Sequence, residues 1–217
     1  MSVTIVLADD HPLVRRGIRD LLESVPDFSV VGEAPDGLAV IQLAEKFKPD
    51  ILVVDLMMPN LNGLEALKQI SHRSPKTRKI VLSMQSADPY IVEAFRSGAM
   101  GYVLKDSAPN ELVDAIRQAL SDTRYFSPKL PERLVETLTE ARGKLEVEPY
   151  DTLTDREREV LQLAAEGRTA PEIGKILSIS ARTAEIHRSR MMAKLGFRNQ
   201  AEVVRFAVKR GILPIDD

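Results

Sequence analysis

The sequence predicts a doubly wound α/β domain with a five-stranded parallel sheet, followed by a smaller all-α domain of four short helices. Five short apolar runs alternate with amphipathic stretches over residues 1–122, and repeated helix caps replace the strands after residue 150. The length of 217 residues suits two modest domains. Apolar strands separated by helical segments indicate a parallel sheet, because each crossover helix must bury its apolar side on the sheet.

The apolar runs of the first domain, residues 1–122, are rich in β-branched residues, as strands are. They lie at 3–8, 29–34, 51–55, 79–83 and 101–105. The stretch after the first run shows the helical pattern clearly, since it places Leu13, Ile18 and Leu22 on one side and Arg15 and Arg19 largely on the other. This alternation predicts helices on both faces of the sheet.

Residues 123–149 are predicted to be a linker that contains a helix. Ser127 before Pro128 is a favourable N-cap followed by proline at the first helical position, and Gly143 is a stop signal, so we expect a helix over about 128–142. Leucines recur every fourth residue within it, at Leu130, Leu134 and Leu138. The stretch after Gly143 has no periodic apolar pattern and is predicted to be the joint between the domains.

The second domain, residues 150–217, is predicted from helix caps. Three pairs fit the capping box, in which a side chain at the N-cap and a carboxylate three residues later bond each other's backbone: Thr154 with Glu157, Thr169 with Glu172, and Asn199 with Glu202. Ser180 caps another helix, and glycines at 167, 196 and 211 mark helix ends. The helices at about 170–177 and 181–195 are joined by three residues, which predicts the sharp angle of a helix-turn-helix.

Composition excludes several classes of protein. The chain has no cysteine, which excludes disulfides, thiolate zinc sites and a cysteine nucleophile. No apolar run is long enough for a membrane helix, and the N-terminus lacks a basic lead, so we expect a cytoplasmic protein without a membrane partner. One stretch of the second domain is strongly basic, with a single acid, Glu185, among Arg182, Arg188, Arg190, Lys194 and Arg198. Such a stretch is often only a solvated helix face, but it also suits phosphate backbones.

Polar side chains follow four of the predicted strands. Asp9 and Asp10 follow the first strand, Asp55 ends the third, Ser83 ends the fourth and Lys105 ends the fifth. In a doubly wound sheet these ends meet at one edge, where ligands bind. Three carboxylates there repel one another and favour a hard cation, of which Mg²⁺ fits best because it needs few protein ligands. With a lysine and a hydroxyl to hold phosphoryl oxygens, the pattern predicts phosphoryl transfer.

Four segments of the first domain resemble the receiver domain of two-component response regulators: ADDH (8–11), DLMMPNLNG (55–63), LSM (82–84) and GYVLKD (101–106). The resemblance covers residues 1–122 and implies a flavodoxin-like fold and phosphorylation by a sensor histidine kinase, mostly through positioning and charge stabilisation. It implies that Asp55 is the phosphoacceptor. It also implies that Ser83 and Lys105 bind the phosphoryl group and that Tyr102 is the aromatic residue of the conformational switch. The same resemblance implies that Mg²⁺ is coordinated by Asp10, Asp55 and the Met57 carbonyl, with Asp9 assisting through water.

Two features depart from that pattern or stand outside it. Asp106 follows Lys105 where receivers commonly carry a proline after a cis bond, so the geometry of this bond is open. His11 and His72 belong to no recognisable constellation and are expected at the surface or in caps, with His11 able at most to modulate the acidic site beside it.

Residues 153–211 resemble the LuxR-type helix-turn-helix of the NarL/FixJ response regulators, through LTDREREVL, EI, ISART and KLG. A helical projection of 181–195 places Ala184, Met191 and Leu195 on an apolar side that is expected to be core. The opposite side and its edges are expected to bind DNA, through Arg182, Thr183, Glu185, Ile186, His187, Arg188, Ser189, Arg190 and Lys194. Glu185 and Arg190 stand where the wider family often has lysine and asparagine, so the DNA sequence that is read should differ.

The interpretation is a DNA-binding transcription regulator, not an enzyme, that is switched by phosphorylation of Asp55. Its expected partners are a sensor histidine kinase and double-stranded promoter DNA, and it is expected to form a homodimer when phosphorylated or DNA-bound. The last helix, 200–209, is the expected dimer contact of the second domain beyond its share of the core, through Val203, Val204, Phe206 and Ala207.

Two alternatives stay open at this point. One is a DNA-binding regulator whose receiver is controlled without phosphorylation. The other is a haloacid dehalogenase-like phosphatase, which also uses an aspartate nucleophile on a doubly wound sheet. That enzyme class needs an Asp-x-Asp pair, whereas Asp55 is followed by Leu56 and Met57.

Overall fold

The computed structural model describes residues 2–131, 134–135, 138 and 149–213. The chain divides into two compact units, Met1–Arg142 and Gly143–Asp217, which are described separately. The division falls inside the segment that the sequence assigns to the linker. The domain limits at 122 and 150 stay a prediction.

The first unit is a parallel sheet with helices in the crossovers. Its strands are β1 (Val3–Ala8), β2 (Phe28–Ala34), β3 (Ile51–Val54), β4 (Arg78–Ser83), β5 (Gly101–Leu104) and β6 (Tyr125–Phe126). Its helices are α1 (Pro12–Glu23), α2 (Gly37–Phe47), α3 (Gly63–Arg73), α4 (Asp88–Arg96) and α5 (Pro109–Leu120). The strand order is β2-β1-β3-β4-β5-β6 and every pair is parallel. The predicted doubly wound fold is confirmed.

The sheet has six strands in the described residues, so the predicted number of five is corrected. Strand β6 extends the edge beyond β5, with Tyr102 opposite Phe126. The Tyr125 amide donates to the Met100 carbonyl at 2.8 Å, and the Phe126 ring packs on Phe95 with centroids 4.9 Å apart. Two residues are too few for strand periodicity to show in a sequence, and this pairing depends on contacts with distant residues.

The segment after β6 packs on the first unit, and its helix begins later than predicted. Residues 128–130 form a turn, and the Ser127 hydroxyl donates to Glu111 Oε2 at 2.8 Å instead of capping a helix. Leu134 and Leu138 are helical and, like Leu130, are buried in the core on the side of α2, α3 and α4. Val135 is helical as well, and the other residues of the predicted helix after residue 131 lie outside the described ones. The predicted joint is described only in its last four residues, Pro149–Thr152, which form a short 3-10 helix.

The sheet of the first unit separates two apolar layers. Successive side chains of a strand point to opposite faces of the sheet. In β1, Ile5 therefore lies in one layer and Val6 in the other. The layer that contains Val6 is covered by α2, α3 and α4, and the layer that contains Ile5 by α1 and α5. Helix α1 supplies only one fully buried residue, Leu22, whereas Leu13 is 86% exposed.

The second unit contains a short 3-10 helix (Pro149–Thr152), α6 (Asp155–Ala165), α7 (Ala170–Leu177), α8 (Ala181–Leu195) and α9 (Gln200–Lys209) in its described part. The four helix starts predicted for this unit are confirmed, because Thr154, Thr169, Ser180 and Asn199 are the N-caps of its α-helices. The sharp α7–α8 connection needs a glycine, since a Cβ on Gly174 would lie 2.7 Å from the Ile179 carbonyl oxygen. None of the described helices is both long and apolar enough to cross a membrane.

Candidate functional site

The carboxyl ends of β1, β3, β4 and β5 bring the predicted acidic and basic side chains together. Lys105 Nζ lies 2.6 Å from Asp55 Oδ2 and 2.6 Å from Asp9 Oδ2. Two backbone hydrogen bonds align the ends of neighbouring strands. The Asp55 amide donates to the Ala8 carbonyl and the Lys105 amide donates to the Ser83 carbonyl, each at 2.9 Å. The site therefore consists of carboxylates from two strands that share one ammonium group.

Asp55 is 5% exposed and is held by its own loop. Its Oδ1 accepts hydrogen bonds from the Leu56 amide at 2.7 Å and the Met57 amide at 3.4 Å, which leaves Oδ2 to Lys105. Gly63 allows α3 to start against this loop, because a Cβ there would be 2.0 Å from the Asp55 carbonyl oxygen. The carboxylate is therefore fixed in position from both sides.

The environment shifts the pKa values of the central pair. Burial raises the pKa of Asp55 above its ordinary value, although Lys105 opposes the shift through its hydrogen bond and charge. Burial would lower the pKa of Lys105, but the hydrogen bonds and charges of Asp55 and Asp9 outweigh it and the pKa is raised. Lys105 is therefore protonated at neutral pH and supplies a fixed positive charge beside Asp55.

The residues present fit a divalent cation. Asp9, Asp10, His11 and Asp55 each offer one ligand atom, and these atoms lie within 4.8 Å of one another. Asp10 Oδ1 is inaccessible to solvent and accepts no hydrogen bond from the described residues. Carboxylate oxygens are what Mg²⁺ prefers, and receiver domains typically bind it at such a cluster. The Met57 carbonyl stays a predicted ligand.

Ser83 and Tyr102 meet through Gln85, a residue that no sequence motif indicated. The Ser83 Oγ accepts from the Gln85 amide at 3.4 Å, and the fully buried Tyr102 hydroxyl donates to the Gln85 carbonyl at 2.7 Å. Burial raises the pKa of Tyr102, and the charge of Asp55 adds to the rise, so the phenol is neutral. The loop after β4 thus joins the hydroxyl at the site to the buried tyrosine.

His11 lies at the surface, as expected, with its side chain 65% exposed, and that side chain also contacts the acidic cluster beside it. It occupies the N-cap position of α1 without a side-chain cap, and its Nδ1 lies 2.7 Å from Asp10 Oδ1. Its position next to two acids was the available sequence signal. The bond that joins Lys105 to Asp106 is trans, since the described residues contain no cis peptide bond.

The residues expected to bind DNA lie on α8 and differ in exposure. Ala184 and Met191 are fully buried, as expected of the core side, and Leu195 is half-buried. Arg182, Glu185, Ile186, Ser189, Arg190 and Lys194 are exposed, and Thr183, His187 and Arg188 are half-buried. One side of α8 is therefore open to a partner, while the other packs on α6 and α7.

Three of these α8 side chains already make hydrogen bonds within the unit. The Thr183 hydroxyl and amide bond Ser180 Oγ at 2.8 and 3.0 Å. Arg188 donates to Gln200 at 2.9 Å. Lys194 Nζ lies 2.6 Å from Glu157 Oε2 and donates to the Thr152 carbonyl at 3.0 Å. These contacts hold the helices together, and the DNA contacts of these residues stay a prediction.

The last helix, α9, gives much of its apolar side to the core of the unit. Val203 and Ala207 are fully buried, and Val204 and Phe206 are half-buried. The Phe206 ring packs on Phe197 with centroids 5.2 Å apart. A dimer contact of α9 would therefore use its less buried residues, and that contact stays a prediction.

Two protein families match the chain. The family described as the response regulator receiver domain matches residues 5–117, and the luxR family of bacterial regulatory proteins matches residues 151–207. The first match contains the acidic cluster and Lys105, and the second contains the helix-turn-helix.

Similar proteins extend over nearly the whole chain. The nitrate/nitrite response regulator protein NarL of Escherichia coli (strain K12) is 37% identical over 199 residues, 92% of this chain and 92% of NarL. The uncharacterized transcriptional regulatory protein YxjL of Bacillus subtilis (strain 168) is 36% identical over 98% of each chain. A solved structure of two RcsB dimers bound to two parallel DNAs is 30% identical, with a TM-score of 0.56, over 95% of this chain and 98% of that one.

Proposed function

The chain belongs to the two-component response regulators with a receiver domain and a LuxR-type DNA-binding domain, and we propose that phosphorylation of Asp55 controls its binding to promoter DNA. Regulators of this family control transcription and are not enzymes, so the phosphatase alternative is dropped. The observation that carries the proposal is the shared contact of Lys105 with Asp55 and Asp9, 2.6 Å to each.

The site supports transfer of a phosphoryl group from a phosphohistidine of a sensor kinase to Asp55. The Asp55 carboxylate attacks phosphorus, and the bond from phosphorus to the histidine nitrogen breaks with its electron pair left on nitrogen. Lys105 then exchanges a carboxylate oxygen for a phosphoryl oxygen, and the Ser83 hydroxyl donates to another. Asp9, Asp10, Asp55 and the Met57 carbonyl would hold Mg²⁺, which when bound neutralises the charge of the transferring group.

The signal leaves the site through Tyr102 and β6. A Ser83 hydroxyl that turns to the phosphoryl group gives up its bond to the Gln85 amide, and Tyr102 is bonded to the carbonyl of the same residue. The backbone of Tyr102 is paired with Phe126 and accepts from the Ser127 amide at 3.2 Å. A shift of Tyr102 therefore reaches the segment after the receiver.

We propose that the exposed side of α8 enters the major groove and contacts the base edges there. Two copies of the chain would bind as a homodimer, with the two half-sites of the DNA about 10 base pairs apart or a multiple of that distance. Arg182 and Arg190 suit guanine, Glu185 suits cytosine N4 and Ile186, which is 43% exposed, suits the thymine methyl group. The similar RcsB structure contains dimers bound to DNA. A regulator that meets promoter DNA in this way works in the cytoplasm.

Labelling by a small phosphodonor such as phosphoramidate tests the proposal. In the presence of Mg²⁺ we expect intact-mass analysis to find one phosphoryl group on the wild-type chain and none on Asp55→Asn. Asp50→Asn is the matched control, because Asp50 bonds Thr4 in the same unit, away from the site, and should label like the wild type. If neither the wild type nor the control gained mass, a receiver controlled without phosphorylation would replace this proposal.

A further inference from the structure

We propose that the imidazole of His11 is a ligand of the cation site, so that this site binds late first-row divalent ions such as Ni²⁺ through nitrogen as well as carboxylate oxygen. The inference rests on the proposed function, since it needs a cation among Asp9, Asp10 and Asp55. It adds a fourth side chain to the site and predicts a preference among metals that three carboxylates would not have.

The His11 ring is directed toward the acidic cluster and not toward helix α1. His11 precedes α1 with an extended backbone, φ −90° and ψ 106°, and its side chain caps no amide of that helix. Nδ1 instead lies 2.7 Å from Asp10 Oδ1 and 3.4 Å from Asp9 Oδ1. The His11 amide donates to the same Asp9 oxygen at 2.8 Å, which holds residues 9–11 together as one loop.

The spacing of these atoms fits neighbouring ligands of one ion. Ligand atoms about 2.1 Å from an octahedral ion lie about 3.0 Å from one another when they are adjacent. The two His11 distances, 2.7 and 3.4 Å, bracket that value.

The charges leave this side of the cluster open to a cation. Lys105 contacts the Oδ2 atoms of Asp9 and Asp55, so its ammonium group covers the inner side. The side chains of Asp10 and His11 are 30% and 65% exposed, so this side of the cluster lies at the surface, although Asp10 Oδ1 itself is covered. The inner side thus has one ammonium group against two carboxylates, and the outer side presents a carboxylate and an imidazole.

The donor set decides which ions gain from His11. Imidazole suits Co²⁺, Ni²⁺, Cu²⁺ and Zn²⁺, whereas Mg²⁺ prefers oxygen and keeps its waters. A nitrogen ligand therefore strengthens the binding of Ni²⁺ far more than that of Mg²⁺. Mn²⁺ accepts either kind of ligand and serves as the spectroscopic probe.

The first test is spectroscopic and uses the full chain loaded with Mn²⁺. Electron spin echo envelope modulation detects a ¹⁴N nucleus bound to Mn²⁺, so we expect the imidazole modulation in the wild type and its loss in His11→Gln. His72→Gln is the matched control, since His72 is exposed in the last turn of α3, and it should keep the modulation. Absence of the modulation in the wild type, or its survival in His11→Gln, would overturn the inference.

The second test compares affinities by titration calorimetry. We expect His11→Gln to weaken Ni²⁺ binding by about tenfold or more and to change Mg²⁺ binding by less than about twofold. Equal losses for both ions would show that His11 acts only by holding the loop, and would overturn its role as a ligand. His11 is exposed, so the variant is expected to fold, and circular dichroism verifies this.

Variants of the carboxylates separate this inference from the proposed function. One outcome is that Mn²⁺ binds the wild type but not Asp10→Asn, and that the wild type shows no ¹⁴N modulation. This result would support the cation site of the proposed function and would exclude only His11 as a ligand. A wild-type chain that binds neither Mn²⁺ nor Mg²⁺ would overturn both the site and this inference.

Discussion

At the scale of single residues, the site depends on one ammonium group shared by two buried carboxylates. Asp9 and Asp55 would repel each other without a cation, and Lys105 is within 2.6 Å of both. The motif resemblance assigned Lys105 its contact with the phosphoryl group. The contact with Asp9 became visible only in the folded chain, because residues 9, 55 and 105 come from three strands.

Replacing this ammonium group should impair phosphorylation. We expect Lys105→Gln to lower the rate of labelling by a small phosphodonor by about tenfold or more, because the developing phosphoryl charge loses its fixed partner. The rate is measured by intact mass against time. Lys76→Gln, at an exposed position, should label like the wild type, and an unchanged rate in Lys105→Gln would contradict the role of the ammonium group.

A second residue-scale prediction concerns Glu157, which is 3% exposed and pairs with Lys194. Burial acts to raise the pKa of Glu157, but the Lys194 and Thr154 hydrogen bonds outweigh it and the pKa is lowered. A carboxylate whose pKa is lower in the folded than in the unfolded state stabilises the fold at pH values above its ordinary pKa, which is near 4.5. This contribution disappears as the pH falls through the folded-state pKa.

We therefore expect Glu157→Gln to lower the free energy of unfolding by about 1–2 kcal/mol at pH 7, with a smaller difference from the wild type below pH 4. Calorimetric unfolding of the full chain at both pH values measures this. Glu185→Gln is the control, since its carboxylate is exposed and 3.9 Å from Arg188. A difference that grew on acidification would contradict the expected direction of the pH dependence.

At the scale of elements, the sixth strand connects the receiver to the segment after it. Two residues, Tyr125 and Phe126, pair with β5 beside Tyr102, and the leucines at 130, 134 and 138 continue the contact with the core. Arg124 reinforces it by donating to the Leu138 carbonyl at 3.2 Å and by stacking on the Phe95 ring. We therefore expect the end of the receiver to respond to changes around Tyr102.

Removing the Phe126 ring should uncouple phosphorylation from DNA binding. We expect Phe126→Ala to be labelled on Asp55 like the wild type but to show at most about a third of the wild-type gain in DNA affinity on phosphorylation, because the contact with Phe95 is lost. Fluorescence anisotropy with labelled promoter DNA, with and without phosphodonor, measures the gain. Phe47→Ala removes an exposed ring and should keep the full gain.

At the scale of the whole molecule, each unit has a core of its own. In the second unit Leu161, Ala184, Met191, Val203 and Ala207 are all fully buried, and every α-helix has a capped start. A unit with its own core is expected to fold alone. The DNA-binding part can therefore be studied without the receiver.

We expect residues 149–217 alone to bind DNA, with an affinity that falls steeply as salt rises, because neutralised phosphates release counterions. Anisotropy titrations at several salt concentrations give the slope, and Arg182→Ala, at a residue assigned to guanine, should weaken the preference for the promoter sequence over unrelated DNA. If the fragment binds more tightly than the unphosphorylated full chain, the receiver inhibits binding. If it binds no more tightly, phosphorylation acts through dimerisation.

The sequence by itself determined the fold class, the helix starts of the second unit and the acidic strand ends, because these depend on local signals. Strand alternation, the capping of Thr154 and Ser180, and Asp55 at the end of an apolar run can all be read within a few residues. The tertiary structure decided the sixth strand, the approach of His11 to Asp10 and the pairing of Lys194 with Glu157. The pairing of the sixth strand and the contact of Lys194 with Glu157 join residues more than 20 positions apart, and only packing brings such residues together. The direction of the His11 ring depends on the fold of its loop.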